Sequence, residues 1–140
     1  MRVLFDTNVI LDVLLDRQPH VGVAAKLFAL VDNGRMEGLI CAMTATTTYY
    51  IAAKSFGRRR AHKQVHELLT LFEVAPVDGD VLDRALDLDF TDFEDAVLHE
   101  AARSSGAAAI VTRNGQDFAH ASLPVLDPRE LLSAVRAPSR

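Results

Sequence analysis

Carboxylates stand next to the apolar segments of this chain. Asp6 follows the apolar run at 3–5, Asp92 and Asp95 open an alanine-rich segment, and Asn114 and Asp117 follow the run AAAIVT at 107–112. Carboxylates that lie close together repel one another, and a divalent cation relieves that repulsion. Oxygen ligands suit Mg²⁺ or Mn²⁺, and such an ion makes a water acidic enough to attack a phosphodiester. These residue types therefore indicate metal-assisted phosphodiester cleavage, provided that the positions converge.

Each acid also has a purely structural explanation. Asp6 is a good N-cap for the helix that follows it. Asp92 could cap the helix that it opens, with Asp95 three residues later in an acidic variant of the capping box. Asp117 could form a turn. Glu94 lies on another part of the helix, where we expect it to be solvated, and position alone leaves both explanations of the other acids open.

Strands and helices are predicted to alternate along the chain. Short apolar runs predict strands at 3–5, 39–43, 74–77, 107–112 and 123–126. Helix-start residues and apolar spacing predict helices after Asp6, over 21–34, from Thr44 to Gly57, over 57–73, 78–88 and 92–105, and from Asp127. This alternation predicts an α/β fold with three α/β/α layers and a central parallel sheet of about four to five strands. We expect one domain over 1–136 and a short frayed tail at 137–140.

A parallel sheet would bring the acids together, because ligands bind beyond the carboxyl ends of its strands. Asp6 follows the first predicted strand, Asn114 and Asp117 follow the fourth, and Asp95 begins the helix that leads into the fourth. Asp92 and Asp95 are three residues apart and would share a helix face. We therefore predict that Asp6, Asp95 and Asp117 converge on one pocket.

The composition sets limits on the class of protein. The chain has 140 residues, a net charge of −4 and one cysteine, Cys41. A single cysteine excludes an intrachain disulfide, so we expect a reducing, cytoplasmic environment. Asp6 comes too early for a signal peptide, and no apolar run approaches the roughly 20 residues that cross a membrane, so we expect no membrane association. The negative charge argues against nucleic-acid binding by bulk electrostatics, although not against a local basic patch.

Such a patch lies near the middle of the chain, with one further cation after the fourth predicted strand. Backbone contacts with RNA need cations that neutralise phosphates. The candidates are Lys54, Arg58, Arg59, Arg60, Lys63 and Arg113. A basic run of this kind is also typical of a solvated helix face, so the pattern leaves two interpretations open.

Two segments of the chain resemble a known family. The opening VLFDTNVILDVLL and the later DFEDAVLHEAARSSGAAAIVTRNGQDF are similar to the motifs of the PIN domain, the fold of the VapC-type toxin ribonucleases. The resemblance spans essentially the whole chain, and the two motifs at this separation are quite specific. It implies a ribonuclease that depends on Mg²⁺ or Mn²⁺ and acts on RNA. It also implies, as in many members, a cognate antitoxin and a homodimer.

The resemblance assigns roles by motif position. It implies catalytic and metal-binding roles for Asp6, Asp95 and Asp117, metal ligation by Asn114, and a supporting role for Thr112, because the family threonine orients a ligand or a water. These roles are expectations carried over from the family. We also expect supporting roles for Asn8, Thr47 and Asp92.

Two positions depart from the family pattern. Thr47 stands where the family usually has a glutamate after the second strand, and no acid lies from 39 to 54. Asn114 stands where many members carry an aspartate. Together these changes remove two formal negative charges, so we expect weaker metal binding, with one ion rather than two. As a hypothesis, Asp92 leans into the pocket and compensates.

A second function stays open from sequence alone. It is a catalytically weak or inactive PIN-fold module that binds RNA or protein, its site degraded at Thr47 and Asn114. A phosphatase of the haloacid-dehalogenase type also places an aspartate after the first strand. That chemistry needs a second aspartate two residues later, where this chain has Asn8, so the phosphatase motif does not match.

Overall fold

A five-stranded parallel sheet organises the protein. The computed structural model describes residues 1–136, so the tail predicted at 137–140 lies outside the described residues. The strands are β1 (Arg2–Phe5), β2 (Glu37–Cys41), β3 (Glu73–Ala75), β4 (Ala109–Val111) and β5 (Val125–Leu126). They lie in the order β3-β2-β1-β4-β5, and each neighbouring pair is parallel. The predicted α/β class and strand number are confirmed.

Helices connect the strands. Within the described residues they are α1 (Thr7–Leu14), α2 (Val21–Asp32), α3 (Ala42–Phe56), α4 (Arg58–Leu71), α5 (Gly79–Leu86), α6 (Phe93–Ser104) and α7 (Pro128–Arg136). A short 3₁₀-helix covers Gly115–Phe118. As predicted, α2 ends at Asn33, and Gly34 then turns the chain at a φ of 79°, a conformation that favours glycine. None of the helices of residues 1–136 is long and apolar enough to span a bilayer.

Helices cover both faces of the sheet, which gives the three predicted layers. Val3 and Phe5 of β1 face a core that they share with α1, α2, α4 and α7, whereas Leu4 faces a second core shared with α5 and α6. The rings of Phe5, Phe28 and Phe72 pack edge to face in the first core, with centroids 5.0 to 6.1 Å apart. A Cβ at Gly38 in β2 would lie 2.6 Å from the Phe72 ring, so this packing requires glycine there.

The strand order places a crevice beside β1. From β1 the chain adds β2 and β3 on one side of the sheet and β4 and β5 on the other. In open α/β sheets, such a switch point leaves a ligand-binding crevice beyond the carboxyl ends of the two central strands. Asp6 directly follows β1 and Thr112 directly follows β4, so the fold presents both residues at this crevice.

Several element boundaries differ from the sequence predictions. The predicted strand at 39–43 ends at Cys41 instead, and Cys41 rather than Thr44 is the N-cap of α3. The apolar run continues from the strand into the helix, so hydrophobicity does not mark the boundary. Thr44 is buried in α3, and its hydroxyl lies 2.9 Å from that of Thr7. Strands β3, β4 and β5 are also shorter than predicted, and the 3₁₀-helix was not anticipated.

Candidate active site

Three hydrogen bonds hold the Asp6 carboxylate at the end of β1. It accepts from the Thr7 backbone N at 2.7 Å, from Thr112 Oγ1 at 2.7 Å and from Asn8 Nδ2 at 3.3 Å. Asp6 is the N-cap of α1 and is only 8% exposed. The capping explanation is therefore correct, and the same carboxylate remains at the crevice with a fixed orientation.

Thr112 connects the ends of β1 and β4. Its buried hydroxyl donates to Asp6 and accepts from Asn8 Nδ2 at 3.2 Å and from the Asn114 backbone N at 3.1 Å. Asn8 Oδ1 in turn accepts from the Arg113 backbone N at 3.3 Å. Because each member restrains the next, this network fixes Asp6 relative to the loop that follows β4.

The N-terminus of α6 brings further carboxylates to the same end of the sheet. Asp92 is the N-cap of α6, and its Oδ1 accepts from the backbone N of Glu94 at 2.8 Å and of Asp95 at 3.4 Å. The capping explanation of Asp92 is thus confirmed. The half-buried Asp95 follows three residues later, within the first turn of the helix.

Asp6 and Asp95 line one pocket of about 110 Å³ between the start of α1, α3 and α6. Thr47 contributes to the lining from α3, at the position where the family glutamate was expected. The pocket is lined by Asp6, Thr7, Met43, Thr44, Thr47, Glu94, Asp95 and Leu98. Carboxylates and hydroxyls therefore meet, beside two apolar side chains, in a small space at the switch point of the sheet.

The carboxyl group of Asp95 shows the repulsion within this cluster. Burial is the largest cause that raises the pKa of Asp95, and the charges of Asp6, Asp92, Asp117 and Glu94 add to it. The pKa rises from 3.8 to about 7. A cation in the pocket has the opposite effect, because it favours the ionised carboxylates. When these carboxylates are ionised, the site therefore carries an excess of negative charge that a cation would neutralise.

The pKa of Asp6 is also raised above its usual value. Burial raises its pKa, the hydrogen bonds from Thr112 and the Thr7 backbone N oppose the rise, and the charges of Asp117 and Asp92 add to it. Asp117 thus acts on both pocket carboxylates from the 3₁₀-helix, although its side chain is exposed. The three predicted catalytic aspartates form one electrostatic cluster.

Comparison with known proteins identifies the family. The model of a family described as "PIN domain" matches residues 2–116. This chain belongs to the PIN domain family. The matched residues run from β1 to the start of the 3₁₀-helix, and they include the Asp6 motif and most of the later one. The resemblance seen in those motifs is confirmed.

Similar PIN proteins match along nearly the whole chain. Ribonuclease VapC1 of Aquifex aeolicus (strain VF5) is 23% identical over an alignment of 134 residues that covers 92% of this chain and 92% of that one. The structure of VapBC2 from Rickettsia felis, bound to a DNA fragment from its promoter, matches with a TM-score of 0.70 at 15% identity, covering 91% of this chain and 98% of that one. VapC20 of Mycobacterium tuberculosis, a Sarcin-Ricin loop cleaving toxin, matches with a TM-score of 0.67 at 18% identity, covering 86% and 95%.

The PIN fold brings most of the predicted site residues to one end of the sheet. Asp6, Thr47 and Asp95 line the pocket, while Thr112 and Asn8 hold Asp6. Thr47 thus lies at the same pocket as Asp6 and Asp95, and its correspondence to the family glutamate stays a prediction. The ligand and catalytic roles of these residues remain predictions.

The prediction that Asp117 shares one pocket with Asp6 and Asp95 is wrong, because Asp117 does not line that pocket. Asn114 and Asp117 lie on the exposed loop and 3₁₀-helix that follow β4. Among residues 1–136, no three His, Cys, Asp or Glu side chains are close enough to hold one ion between them. The donors at the pocket nevertheless fit a hydrated Mg²⁺ or Mn²⁺, because Mg²⁺ keeps several waters and takes few protein ligands. Asp6, Asp95, Asp117 and Asn114 would hold such an ion in part through water.

The structure tests the predictions for two further acids. Glu94 is exposed, as predicted, and its side chain also lines the pocket with Asp95. Asp92 does not line the pocket, and its Oδ1 is engaged with the backbone of α6. The hypothesis that Asp92 compensates for the missing glutamate is therefore not supported.

Asp12 and its partners escaped the sequence prediction. Asp12 lies in the apolar segment VILDVLL, and its side chain is fully buried in α1. It accepts from Arg113 Nε at 2.7 Å and from Arg17 Nε at 3.0 Å. The guanidinium of Arg113 is thus committed to Asp12, and the phosphate contact predicted for it is untested. In the sequence, only the position of Arg17, five residues after Asp12, indicated a possible partner for this buried carboxylate.

Replacing Thr112 with valine should weaken Mn²⁺ binding about tenfold or more and destabilise the protein by about 1–3 kcal/mol. Valine keeps the shape of the side chain but leaves Asp6, Asn8 and the Asn114 N–H without this partner. Thr112→Ser keeps the hydroxyl and is the matched control. Calorimetric titration with Mn²⁺ and urea unfolding measure the two effects. Equal Mn²⁺ affinities of the valine variant and the wild type would contradict the positioning role of Thr112.

Proposed function

We propose that this PIN domain is an endoribonuclease that cleaves RNA phosphodiester bonds with the help of Mg²⁺ or Mn²⁺. The observation that carries the proposal is the convergence of Asp6 and Asp95 on one pocket, with Asp117 near enough to raise the pKa of both. A divalent cation bound there supplies charge stabilisation for the phosphate and a water of lowered pKa. The ribonuclease name of the Aquifex aeolicus relative supports this proposal.

The residues of this chain position that chemistry. Asp6 has little freedom, since Thr112, Asn8 and the Thr7 backbone N bind its carboxylate. The pKa of Asp95 is raised to about 7 without a cation, so a bound cation would favour its ionised form and gain a further charged ligand. The hydroxyl of Thr112 orients Asp6 from the β4 side. A preorganised carboxylate and a titratable one thus share the pocket.

We propose that the RNA backbone lies along a basic surface, defined as Lys54, Arg58, Arg59, Arg60 and Lys63. All five side chains are exposed, at the end of α3 and the start of α4. None of the salt bridges found within residues 1–136 involves them. Lys54 lies seven residues after the pocket residue Thr47 on the same helix, which is about 10 Å along its axis. One RNA segment can therefore reach both the basic surface and the pocket.

Replacing Arg58 and Arg59 together with alanine should weaken RNA binding and reduce its salt dependence. The slope of log affinity against log salt should fall by about 0.7 for each phosphate of a single strand that the variant no longer neutralises. Lys26→Ala removes an exposed cation from α2 and is the control. RNA affinity measured over a salt series, in an Asp95→Asn background that cannot cut the RNA, gives the slopes. Unchanged slopes in the double variant would remove the basic surface from the proposal.

We also propose that the enzyme is the toxin of a type II toxin–antitoxin pair. Its similarity to the toxin of the Rickettsia felis VapBC2 structure supports an antitoxin partner. A homodimer stays a prediction from the family. Expression of the chain alone should stop bacterial growth, and co-expression of a small protein encoded beside it should restore growth and yield a complex. Normal growth on expression of the active enzyme would argue against the toxin role.

Incubation with total RNA tests the ribonuclease proposal directly. We expect fragments with Mn²⁺ and none after a chelator is added. The second candidate, a weak or inactive module that binds RNA or protein, is favoured by one observation, the neutral Thr47 and Asn114 at the site. Retarded but intact RNA in the presence of Mn²⁺ would favour that module and overturn the enzyme.

A further inference from the structure

The acids that line the pocket come from α6 and from the end of β1, and none comes from α3. Asp95 and Glu94 of α6 line the pocket together with Asp6 and with Thr44 and Thr47 of α3. Threonine hydroxyls can bind a water but bring no charge to a cation. The negative charge within the pocket therefore comes from Asp6 and the N-terminus of α6, with Asp117 nearby.

Glu94 is well placed to contribute such a charge. Its backbone N is fixed at 2.8 Å from Asp92 Oδ1, so the cap anchors the residue at the mouth of the pocket. Among the contacts of residues 1–136, its carboxylate takes part in no salt bridge or side-chain hydrogen bond, whereas the carboxylate of Asp6 is already engaged three times. Its exposed side chain retains rotamer freedom, so it can approach an ion directly or through a water.

We propose that Glu94 replaces, from α6, the acid that α3 lacks at position 47. Glu94 and Thr47 line the same small pocket from two different helices, so a carboxylate at either position acts on the same ion. Direct coordination is not required, because Mg²⁺ keeps several of its waters. The inference rests on the proposed metal-dependent function and names Glu94 as a residue that positions the ion.

A structural role for Glu94 makes a different prediction. An acid in the first turn of a helix interacts favourably with the helix dipole, an effect of about 0.3–1 kcal/mol on stability. That role would change the melting temperature slightly and leave Mn²⁺ affinity unaltered. Metal affinity therefore distinguishes a role of Glu94 in positioning the ion from a role in stabilising the helix. An acid introduced at position 47 should restore the metal affinity only if Glu94 positions the ion.

The experiment is a calorimetric titration of the folded full chain with Mn²⁺. Glu94→Gln should lower the affinity about tenfold or more. Glu67→Gln, the same change at an exposed position of α4, should leave it within about twofold of the wild type, since screening weakens the effect of distant exposed charges. The double variant Glu94→Gln with Thr47→Glu should return to the affinity of the wild type.

Equal effects of Glu94→Gln and Glu67→Gln would overturn the inference while leaving the proposed function intact. Failure of Thr47→Glu to restore binding in the Glu94→Gln background, with the melting temperature of the double variant unchanged, would also overturn it. A wild type that shows no saturable heat with Mn²⁺ would overturn both this inference and the proposed metal dependence. A melting curve of each variant checks that it is folded.

Discussion

Asp95→Asn should abolish Mn²⁺-dependent RNA cleavage and, in chelator, make the protein more stable. The loss of activity should be about 10²-fold to 10³-fold, the usual effect of removing one electrostatic group from a reacting site. Asparagine keeps the size of the side chain but removes the charge that the cation needs. Stability should rise because the ionised carboxylate is half-buried among the charges of Asp6, Asp92, Asp117 and Glu94, and the uncharged amide avoids that repulsion.

The direction of the pH dependence follows from the raised pKa of Asp95. The folded protein keeps this proton up to about pH 7, whereas the unfolded chain loses it near 3.8. The unfolded state therefore binds fewer protons between these values, and the free energy of unfolding falls as the pH rises through that window. After allowance for solvent screening of a half-exposed group, the penalty above pH 7 is about 1 kcal/mol.

Urea unfolding in chelator between pH 4 and 8 measures this effect, and cleavage of total RNA with Mn²⁺ measures the loss of activity. The wild type should lose stability across the window more steeply than Asp95→Asn. A residual slope should remain in the variant, because the pKa of Asp6 is also raised. Asp6→Asn should also abolish cleavage and leave the protein folded. Cleavage at the wild-type rate by both purified variants would show that these aspartates are not catalytic.

The fold was largely predictable because short apolar runs mark the strands, and helix-start residues follow β1, β3 and β5. Asp6, Asp78 and Asp92 all became helix caps, as their residue types indicate. The boundary between β2 and α3 was not predictable, because residues 39–43 are apolar on both sides of Cys41. The end of β2 is set by how far it pairs with β1 and β3, and no local sequence pattern reveals that extent.

The candidate site was predictable only in part. Placement after strands indicated Asp6 and Asp117, and helix spacing indicated Asp95. The exposure of Glu94 was predicted, but its place in the pocket lining was not, because that lining also includes Thr47 of α3 and depends on the whole sheet. Sequence reasoning looked to Asp92 as the acid that compensates for the family glutamate. In the structure, the neighbouring acid on α6 lines the same pocket.

Asp12 was missed for a related reason, and it carries the second large effect. An aspartate in an apolar helix looks like an isolated polar residue, but its partner Arg113 is 101 positions away. Arg113 binds both Asp12 oxygens, at 2.7 and 3.1 Å, and Arg17 binds Oδ1 at 3.0 Å. Arg17 also donates to the backbone O of Asn8 at 3.0 Å. This ion pair therefore ties α1 to the loop that carries Asn114.

Asp12→Ala should lower the free energy of unfolding by about 3 kcal/mol, near the lower end for breaking a buried ion pair. The lower end applies because the side chains of Arg17 and Arg113 are 38% and 26% exposed and can reach water. Asp32→Ala, at an exposed residue of α2, is the control and should cost at most about 0.5 kcal/mol.

The double variant of Asp12→Ala with Arg113→Ala tests the pairing itself. Its cost should be smaller than the sum of the two single costs by about 1 kcal/mol or more, because either single change already removes the interaction between Asp12 and Arg113. Asp12 keeps Arg17 as a partner in the Arg113→Ala variant. Denaturant unfolding of the four proteins at pH 7 completes the cycle. Additive costs would mean that the two side chains do not interact in solution. Loss of this ion pair should also slow RNA cleavage. The backbone N of Arg113 contacts Asn8, and Asn8 orients Asp6, so a displaced Arg113 disturbs the position of Asp6.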